Sequence, residues 1–295
     1  MSWSVFDLHC DTAVELSQQQ KLLEKNDLHI DLGRAARLDS YTQFFSFCCV
    51  YDRQGKQLLQ PDCAALFQAS LSRFQKMVGA IHESPACEWF RPLLSLEGPE
   101  VIDCDPAKLE GLRQQGFQMT TLTWNYVNPL AGSCWTGEGL TDQGREFIQE
   151  AQRLGIVIDV SHLSEQAFWD LVDITQAPIV ASHSNSKACC NSARNLSDDQ
   201  FRAIRDLGGL VGMNLYAPFL NESGKASFAD VRRHLDHWLS LGGEKTVALG
   251  GDLDGCDALP DGFTGVDDYN DLAAFLQGFD VFALFFENAA RFWRL

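Results

Sequence analysis

The sequence lacks any hydrophobic run long enough to cross a membrane. A membrane helix needs about 20 consecutive apolar residues, whereas the longest apolar runs of this 295-residue chain, such as Phe44 to Tyr51, have the length of a strand. The first residues also lack the basic segment and apolar core of a signal peptide, and the last ones lack a lipid-anchor pattern. We therefore expect a cytoplasmic protein that has no membrane partner.

Positive charge is also scarce. The chain has 23 Lys and Arg residues against 40 Asp and Glu residues, which gives a formal net charge of −17 at pH 7. Such a field repels the phosphate backbone of nucleic acids and the surface of anionic membranes. We therefore expect no nucleic-acid partner and favour small molecules and cations as ligands.

Cysteine is present but lacks the spacing of a metal or disulfide motif. None of the ten cysteines forms a CxxC pair, which argues against a cysteine zinc site. Two pairs, Cys48-Cys49 and Cys189-Cys190, are adjacent, a poor geometry for a bridge within the pair. We expect most of these cysteines to be reduced and buried.

Short strand patterns and helical patterns alternate along the chain. The capping box Ser197 to Gln200, for example, opens a helical apolar pattern that stops at Gly208. Because no linker, repeat or composition shift interrupts the alternation, it predicts one α/β domain over residues 1–295, a (β/α)8 TIM-like barrel. The eight predicted strands are Ser4 to His9, Gln43 to Val50, Pro92 to Glu97, Met119 to Thr123, Ile156 to Ser161, Ile179 to His183, Leu210 to Leu215 and Thr246 to Gly251.

Polar residues follow several of these strands. The active site of such a barrel forms at the C-terminal ends of its strands, so the side chains there should meet at one rim. The set combines imidazoles with carboxylates, the ligands that two divalent ions such as zinc prefer. Its members are His9, Asp11, Glu97, His162, His183, Asp252 and Asp254.

The spacing of these residues favours metal binding. In a strand, His9 and Asp11 point to the same side and can reach one ion. A second pair with this spacing, His29 and Asp31, precedes strand two and is expected to lie away from the rim. Glu97 is the only acid at the end of strand three and could bridge two ions, although pairing with an Arg is an alternative.

Six segments together resemble one known family. They are Asp7-Leu-His9-Cys-Asp11, Ser95-Leu-Glu97-Gly98, Asp159-Val-Ser-His162, Ser182-His183-Ser184, Ala193-Arg194-Asn195 and Gly250-Gly-Asp252-Leu-Asp254-Gly255. In order and spacing this constellation resembles the membrane (renal) dipeptidase family, peptidase family M19. The resemblance implies a zinc-dependent metallopeptidase on a TIM-like barrel of the metal-dependent hydrolase type, which cleaves dipeptides and often forms homodimers.

The resemblance also implies the distribution of the ligands. His9 and Asp11 would bind one zinc ion, His162 and His183 the other, and Glu97 both. A water shared by the two ions would attack the peptide carbonyl as hydroxide. This is the binuclear arrangement of the family, with two Zn²⁺ ions per chain.

Two further residues receive roles from the resemblance. Asp252 would carry the proton from the attacking water to the leaving amine, and Arg194 would bind the terminal carboxylate of the substrate. The alternative for Arg194 is an ion pair with Asp198 or Asp199 at the start of the following helix.

Some expectations stay open on the sequence alone. At the end of strand four the chain has Trp124 where the animal enzymes carry a His, so substrate preference can differ, and Trp124 is expected to pack the pocket wall. His82, His234 and His237 lie on predicted helices and are expected to be ordinary surface or interface groups. The alternative functions are another binuclear hydrolase, acting on a lactone, a phosphodiester or another amide, and a barrel that binds metal or peptide without catalysis.

Overall fold

Eight parallel strands form a closed barrel in the computed structural model, which describes residues 2–52, 54 and 56–295. The strands pair in chain order, and β8 returns to β1. This confirms the predicted (β/α)8 architecture. The strands are β1 Ser4–Cys10, β2 Ser40–Cys48, β3 Phe90–Glu97, β4 Phe117–Thr121, β5 Val157–Asp159, β6 Val180–Ala181, β7 Leu210–Met213 and β8 Val247–Leu249.

Helices connect the strands around the outside of the barrel. The capping box predicted at Ser197 and Gln200 is present at the start of one of them, and Gly208, with φ 74°, follows its end. The α-helices are α1 Thr12–Gln18, α2 Leu32–Ala35, α3 Asp62–His82, α4 Leu109–Gln114, α5 Asp142–Arg153, α6 Glu165–Ile174, α7 Asp198–Asp206, α8 Ala217–Leu220, α9 Phe228–Ser240, α10 Tyr269–Phe275 and α11 Asn288–Trp293. Short 3₁₀ turns occupy Pro85–Cys87, Pro99–Ile102, Pro106–Lys108 and Val266–Asp268, and a π-helical turn occupies Ala283–Glu287.

The later strands are shorter than predicted, because buried side chains replace the strand hydrogen bonds. β5 ends at Asp159, whose Oδ1 accepts hydrogen bonds from the backbone N–H groups of Ser161 and Ser182, both at 2.9 Å. His162 then has a φ of 69°, a left-handed conformation outside any strand. His162 and His183 therefore lie on turns directly after β5 and β6.

Apolar side chains fill the barrel at the end opposite to the C-terminal ends of its strands. Trp293 of α11 packs against Phe44 and Phe6, with ring centroids 4.8 and 5.7 Å apart. These residues belong to a buried cluster inside the barrel that also contains Leu93 and Met119. The predicted polar residues lie at the other end, at the rim formed by the C-terminal ends of the strands.

The seam between β1 and β8 contains a buried carboxylate. Asp7 pairs with Leu249 in the strand ladder, and Cys10 pairs with Leu253 just beyond it. Asp7 also accepts hydrogen bonds from the backbone of Gly251 at 2.9 Å and from the hydroxyl of Tyr269. Burial raises the pKa of Asp7, while these hydrogen bonds act in the opposite direction.

The described residues include no helix that is both long and apolar enough to cross a membrane. All ten cysteines lie in the described part of the chain and are free thiols, and most of them are buried. This agrees with the expectation from their spacing.

Candidate active site

The five predicted ligands meet around Glu97 at the rim of the barrel. Oε1 of Glu97 lies 2.9 Å from Nε2 of His162 and 3.7 Å from Nε2 of His183. Its other oxygen, Oε2, lies 3.3 Å from Nε2 of His9, and this nitrogen is 3.8 Å from Oδ2 of Asp11. All five side chains are buried. The two oxygens of one carboxylate thus face two different groups of ligands.

Neighbouring side chains fix the tautomers of two histidines. Asp159 accepts a hydrogen bond from the hydroxyl of Ser182, so this hydroxyl must accept one from Nδ1–H of His183, 2.7 Å away. Nδ1–H of His162 donates to Oδ1 of Asn125 at 2.8 Å. In both rings the protonated nitrogen is Nδ1, and Nε2 turns its lone pair toward Glu97.

Several polar atoms in this cluster have no hydrogen-bond partner. They are both ring nitrogens of His9, Oδ1 of Asp11 and Oε1 of Glu97. Oε1 of Glu97 lies close to His162, but the geometry is not that of a hydrogen bond. Burying unpaired polar atoms is costly, and the Nε2 atoms of His162 and His183 are only 3.0 Å apart. Donor atoms arranged in this way fit divalent cations, which would satisfy lone pairs that no protein donor reaches.

The electrostatics of the cluster agree with that fit at His162, His183 and Glu97, but not at His9 and Asp11. Burial, helped by the nearby Arg194 guanidinium, lowers the pKa of His162 to about 4. Burial also lowers the pKa of His183 well below its usual value. Burial raises the pKa of Glu97, but His9 and His162 outweigh it and hold that pKa well below its usual range. Two neutral imidazoles beside an ionised carboxylate are the protonation states that a metal requires. Burial lowers the pKa of His9, but Glu97 and Asp11 outweigh it and hold that pKa well above its usual value. Burial raises the pKa of Asp11 to about 7, so a metal would have to displace protons from these two groups.

Asp252 lies beside the cluster in a strained turn. Its φ is 58°, and its Oδ1 lies 3.9 Å from Nε2 of His9. Nδ2 of Asn214 donates a hydrogen bond to its Oδ2 at 3.0 Å. Burial raises the pKa of Asp252 to about 6, with Glu97 adding to the rise. A carboxyl group with this pKa can both take up and release a proton near neutral pH.

Three supporting residues received no role in the sequence reasoning. Asn214 follows β7 and Asn125 follows β4, so the strand-end rule that gave the candidate ligands could have found both. Ser182 directly precedes His183, but its contact with Asp159 joins residues 23 positions apart and leaves no local pattern.

Gly255 permits the close packing of the loop after β8. A Cβ atom at this position would collide with the carboxylate oxygens of Asp11 and Asp252. The absence of a side chain therefore lets the backbone approach both carboxylates.

Arg194 is buried at the edge of the cluster, with 4% of its surface exposed. Its guanidinium donates to the carbonyl of His183 at 3.4 Å and lies over Phe219, 5.5 Å from the ring centroid. Its Nε has no partner. The alternative ion pair is not formed, because Asp198 pairs with His237 and Arg202 while Asp199 pairs with Arg202.

A cavity of about 610 Å³ opens above these residues. Trp124 forms part of its wall, as expected, and stacks on Tyr51 with ring centroids 4.3 Å apart. Trp135 stands at the same mouth, and its indole N–H donates to Oδ1 of Asn125 at 3.1 Å. The lining residues are Asp11, Glu15, Tyr51, Asp52, Glu97, Trp124, Asn125, Trp135, His162, Arg194, Tyr216, Phe219, Asp252, Asp254, Gly255, Cys256 and Asp257.

The second HxD pair has a structural role. Asp31 caps α2 by accepting from the backbone of Arg34 at 3.0 Å. His29 and Asp254 hold their segments together, since Oδ1 of Asp254 accepts from the backbone of His29 at 2.7 Å and Nδ1 of His29 accepts from the backbone of Asp254 at 2.9 Å. Neither residue of the pair belongs to the ligand cluster.

The expectation that His234 is a surface or interface group is wrong. It is fully buried on α9, where its Nδ1 accepts from the backbone of Ser186 and its Nε2–H donates to the carbonyl of Leu220, both at 3.0 Å. Its position among Val231, Leu235 and Trp238 on the apolar face of the helix was visible in the sequence.

Comparison with known proteins gives curated relatives over part of the chain. A Klebsiella pneumoniae protein from the pqqA 5′ region is 39% identical over 178 residues, which are 56% of this chain and 65% of that protein. An uncharacterized dipeptidase of Schizosaccharomyces pombe is 35% identical over 187 residues, 61% of this chain and 45% of that protein. The chain thus aligns with about half to two thirds of the length of such curated relatives.

A solved structure extends the likeness to the complete fold. A metallo peptidase from Rhodobacter sphaeroides, bound to a phosphinate mimic of the dipeptide L-Ala-D-Ala, matches with a TM-score of 0.87 and 28% identity, and the match covers 98% of each chain. The sequence model of the membrane dipeptidase family, peptidase family M19, matches residues 2–294. On this match the chain belongs to the membrane dipeptidase family.

Proposed function

We propose that this protein is a zinc-dependent dipeptidase of the membrane dipeptidase type. The observation that carries the proposal is the division of Glu97 between His9 on one side and His162 with His183 on the other, in a buried cluster with unpaired donor atoms. Membership of a metallopeptidase family and the bound dipeptide mimic of the Rhodobacter relative support the same reaction.

The proposed metal centre holds two zinc ions. His9 and Asp11 would bind one ion, His162 and His183 the other, and Glu97 would bind both. Such a pair supplies a water of lowered pKa and polarises the scissile carbonyl. The Asp159–Ser182 contact keeps His183 in the ligand tautomer, and Asn125 does the same for His162.

The proton transfer is assigned to side chains of this protein. We propose that Asp252 accepts the proton of the attacking water and delivers it to the leaving amine, a task that suits a carboxyl with a pKa of about 6. Asn214 holds the carboxyl through one oxygen and leaves the other free for the exchange.

Arg194 is proposed to bind the carboxylate of the substrate. Its buried guanidinium has an unpaired Nε and lines the cavity, so a ligand carboxylate would supply the missing partner. Because this group lies within the cavity that contains the ligand cluster, it selects peptides whose C-terminus is close to the scissile bond.

The proposal also covers the cellular compartment, the domain organisation and the oligomeric state of the protein. Ten free thiols favour a reducing compartment such as the cytoplasm. We also propose that residues 1–295 act as one domain, and that two copies form a homodimer as family members often do, which light scattering of the purified protein would measure.

Chelation and reconstitution test the proposed function. The purified protein is incubated with L,L and L,D dipeptides as isolated, after chelation and after zinc is restored, and the released amino acids are measured. We expect loss of cleavage on chelation and recovery with zinc. His183→Ala should lose activity and most of one metal equivalent, whereas His82→Ala, an exposed position on α3, should retain both. Full activity of His183→Ala with both metals bound would refute the assignment.

A further inference from the structure

We propose that the cavity selects dipeptides whose N-terminal residue carries a cationic side chain. This inference rests on the proposed function and concerns the wall of the cavity that faces Arg194. It assigns a subsite to residues that neither bind the metals nor move the proton.

The charge of the cavity is strongly unbalanced. Among the residues that the structure describes, its lining includes seven carboxylates and one guanidinium, that of Arg194. Three of the carboxylates, Asp11, Glu97 and Asp252, belong to the reaction centre. The other four form what we term the acidic arc: Glu15, Asp52, Asp254 and Asp257.

The acidic arc lies across the cavity from Arg194. Its members follow β8, β1 and β2, which are consecutive in the barrel, whereas Arg194 follows β6. In a closed barrel of eight strands in chain order, β6 stands directly opposite β2. A dipeptide whose carboxylate is bound by Arg194 therefore extends its N-terminal residue toward the acidic arc.

Within residues 2–52, 54 and 56–295, no cationic side chain pairs with a carboxylate of the acidic arc. In the described part of the chain no Lys or Arg lies within 4.0 Å of any of them. Glu15 accepts from the side-chain amide of Gln19 at 2.6 Å, and Asp52 from the backbone of Gln54 at 2.9 Å. These donors are uncharged, so the negative field persists into the cavity.

An aromatic surface adjoins Asp52. Tyr51 precedes it in the chain and stacks on Trp124 at an interplanar angle of 13°. Stacked rings offer a face to the aliphatic stem of Lys or Arg, and they attract its charged end. The cavity has a buried Arg with an unpaired Nε at one end and carboxylates with aromatic rings at the other. It therefore fits a ligand that is anionic at its C-terminus and cationic at its N-terminal side chain.

Three matched substrates test this selectivity. They share one C-terminal residue and carry Lys, norleucine or Nε-acetyl-Lys at the N-terminus, so that all keep the α-ammonium group. We expect kcat/KM for the Lys substrate to exceed that for norleucine about tenfold at low salt, which corresponds to about 1.4 kcal/mol. The ratio should fall as salt rises, because the charges are partly exposed.

Charge-removing variants locate the effect. In the double variant Glu15→Gln, Asp52→Asn the ratio of Lys to norleucine should fall to about three, because Asp254 and Asp257 remain. Glu88→Gln removes an exposed carboxylate just before β3, at the opposite end of the barrel, and should keep the tenfold ratio. The wild-type ratio remains a test even where the double variant does not fold.

The outcomes separate the two proposals. Equal kcat/KM for all three substrates, with rapid cleavage, would overturn the cationic subsite and leave the dipeptidase standing. A tenfold preference that survives in the double variant would likewise overturn the assignment to Glu15 and Asp52. Failure to cleave any dipeptide with both zinc ions bound would refute the proposed function itself.

Discussion

Protonation of His234 should destabilise the folded protein in mildly acidic solution. The neutral ring is required because Nδ1 must accept from the backbone of Ser186 while Nε2–H donates to Leu220. Adding a proton breaks the first bond and places a charge in a fully buried position. Burial, with help from Arg233, lowers the pKa of His234 to about 4.

The size of the effect follows from linkage. The pKa of His234 is about 4 in the folded protein and about 6.5 in the unfolded chain. At pH values between these two, the unfolded chain binds more protons than the folded protein. The free energy of unfolding therefore rises with pH across this window. The full contribution is present above pH 6.5 and is lost as the pH falls through 4, a change of about 3 kcal/mol.

Urea denaturation at fixed ionic strength and fixed zinc measures this change. His234→Asn, whose amide oxygen can still accept from Ser186, lacks the titration, so its stability relative to the wild type should improve by about 3 kcal/mol from pH 7 to pH 4. His82→Asn, at an exposed position, should run parallel to the wild type. Parallel curves for His234→Asn and the wild type would refute the reasoning.

Three further predictions concern the site. Gly255→Ala should lower kcat/KM more than tenfold with an unchanged circular dichroism spectrum, because the new Cβ would collide with the carboxylates of Asp11 and Asp252. The control Gly79→Ala, with open space around it, should keep full activity. A fully active Gly255→Ala enzyme would contradict this account. Ser182→Ala should weaken zinc binding about 10-fold to 100-fold in a chelator competition, because His183 loses its orienting partner; unaltered affinity would refute that role. Arg194→Lys should raise KM for dipeptides at least tenfold in steady-state assays, since Lys cannot present a planar fork, and an unchanged KM would remove Arg194 from substrate binding.

The barrel was predictable because its determinants are local. Capping residues such as Ser197 and stop glycines such as Gly208 act within one turn of a helix, and their patterns are legible in a single sequence. The positions of the candidate ligands could be predicted for the same reason, because His9, Glu97 and their partners lie at strand ends, whereas metal binding by them stays a prediction. The barrel geometry then brings them together.

Contacts between distant positions could not be predicted. The bond from Ser182 to Asp159 joins adjacent strands, and its partners share no pattern along the chain. Asp159 also ends β5 earlier than its β-rich sequence suggests, because its carboxylate takes backbone donors that a longer strand would have used. The burial of His234 is different, because the helical periodicity of the apolar residues around it could have predicted it. The wrong expectation came from the polarity of the imidazole alone.

The seam between β1 and β8 links the proposed metal centre to the closure of the barrel. His9 lies in β1 and Asp11 directly after it on one side of this seam, and Asp252 follows β8 on the other. Local opening of this seam would pull apart groups that face one another across the proposed metal centre. Ions bound by these groups would hold the first and last strands together, so we expect loss of metal to loosen the closure between β1 and β8.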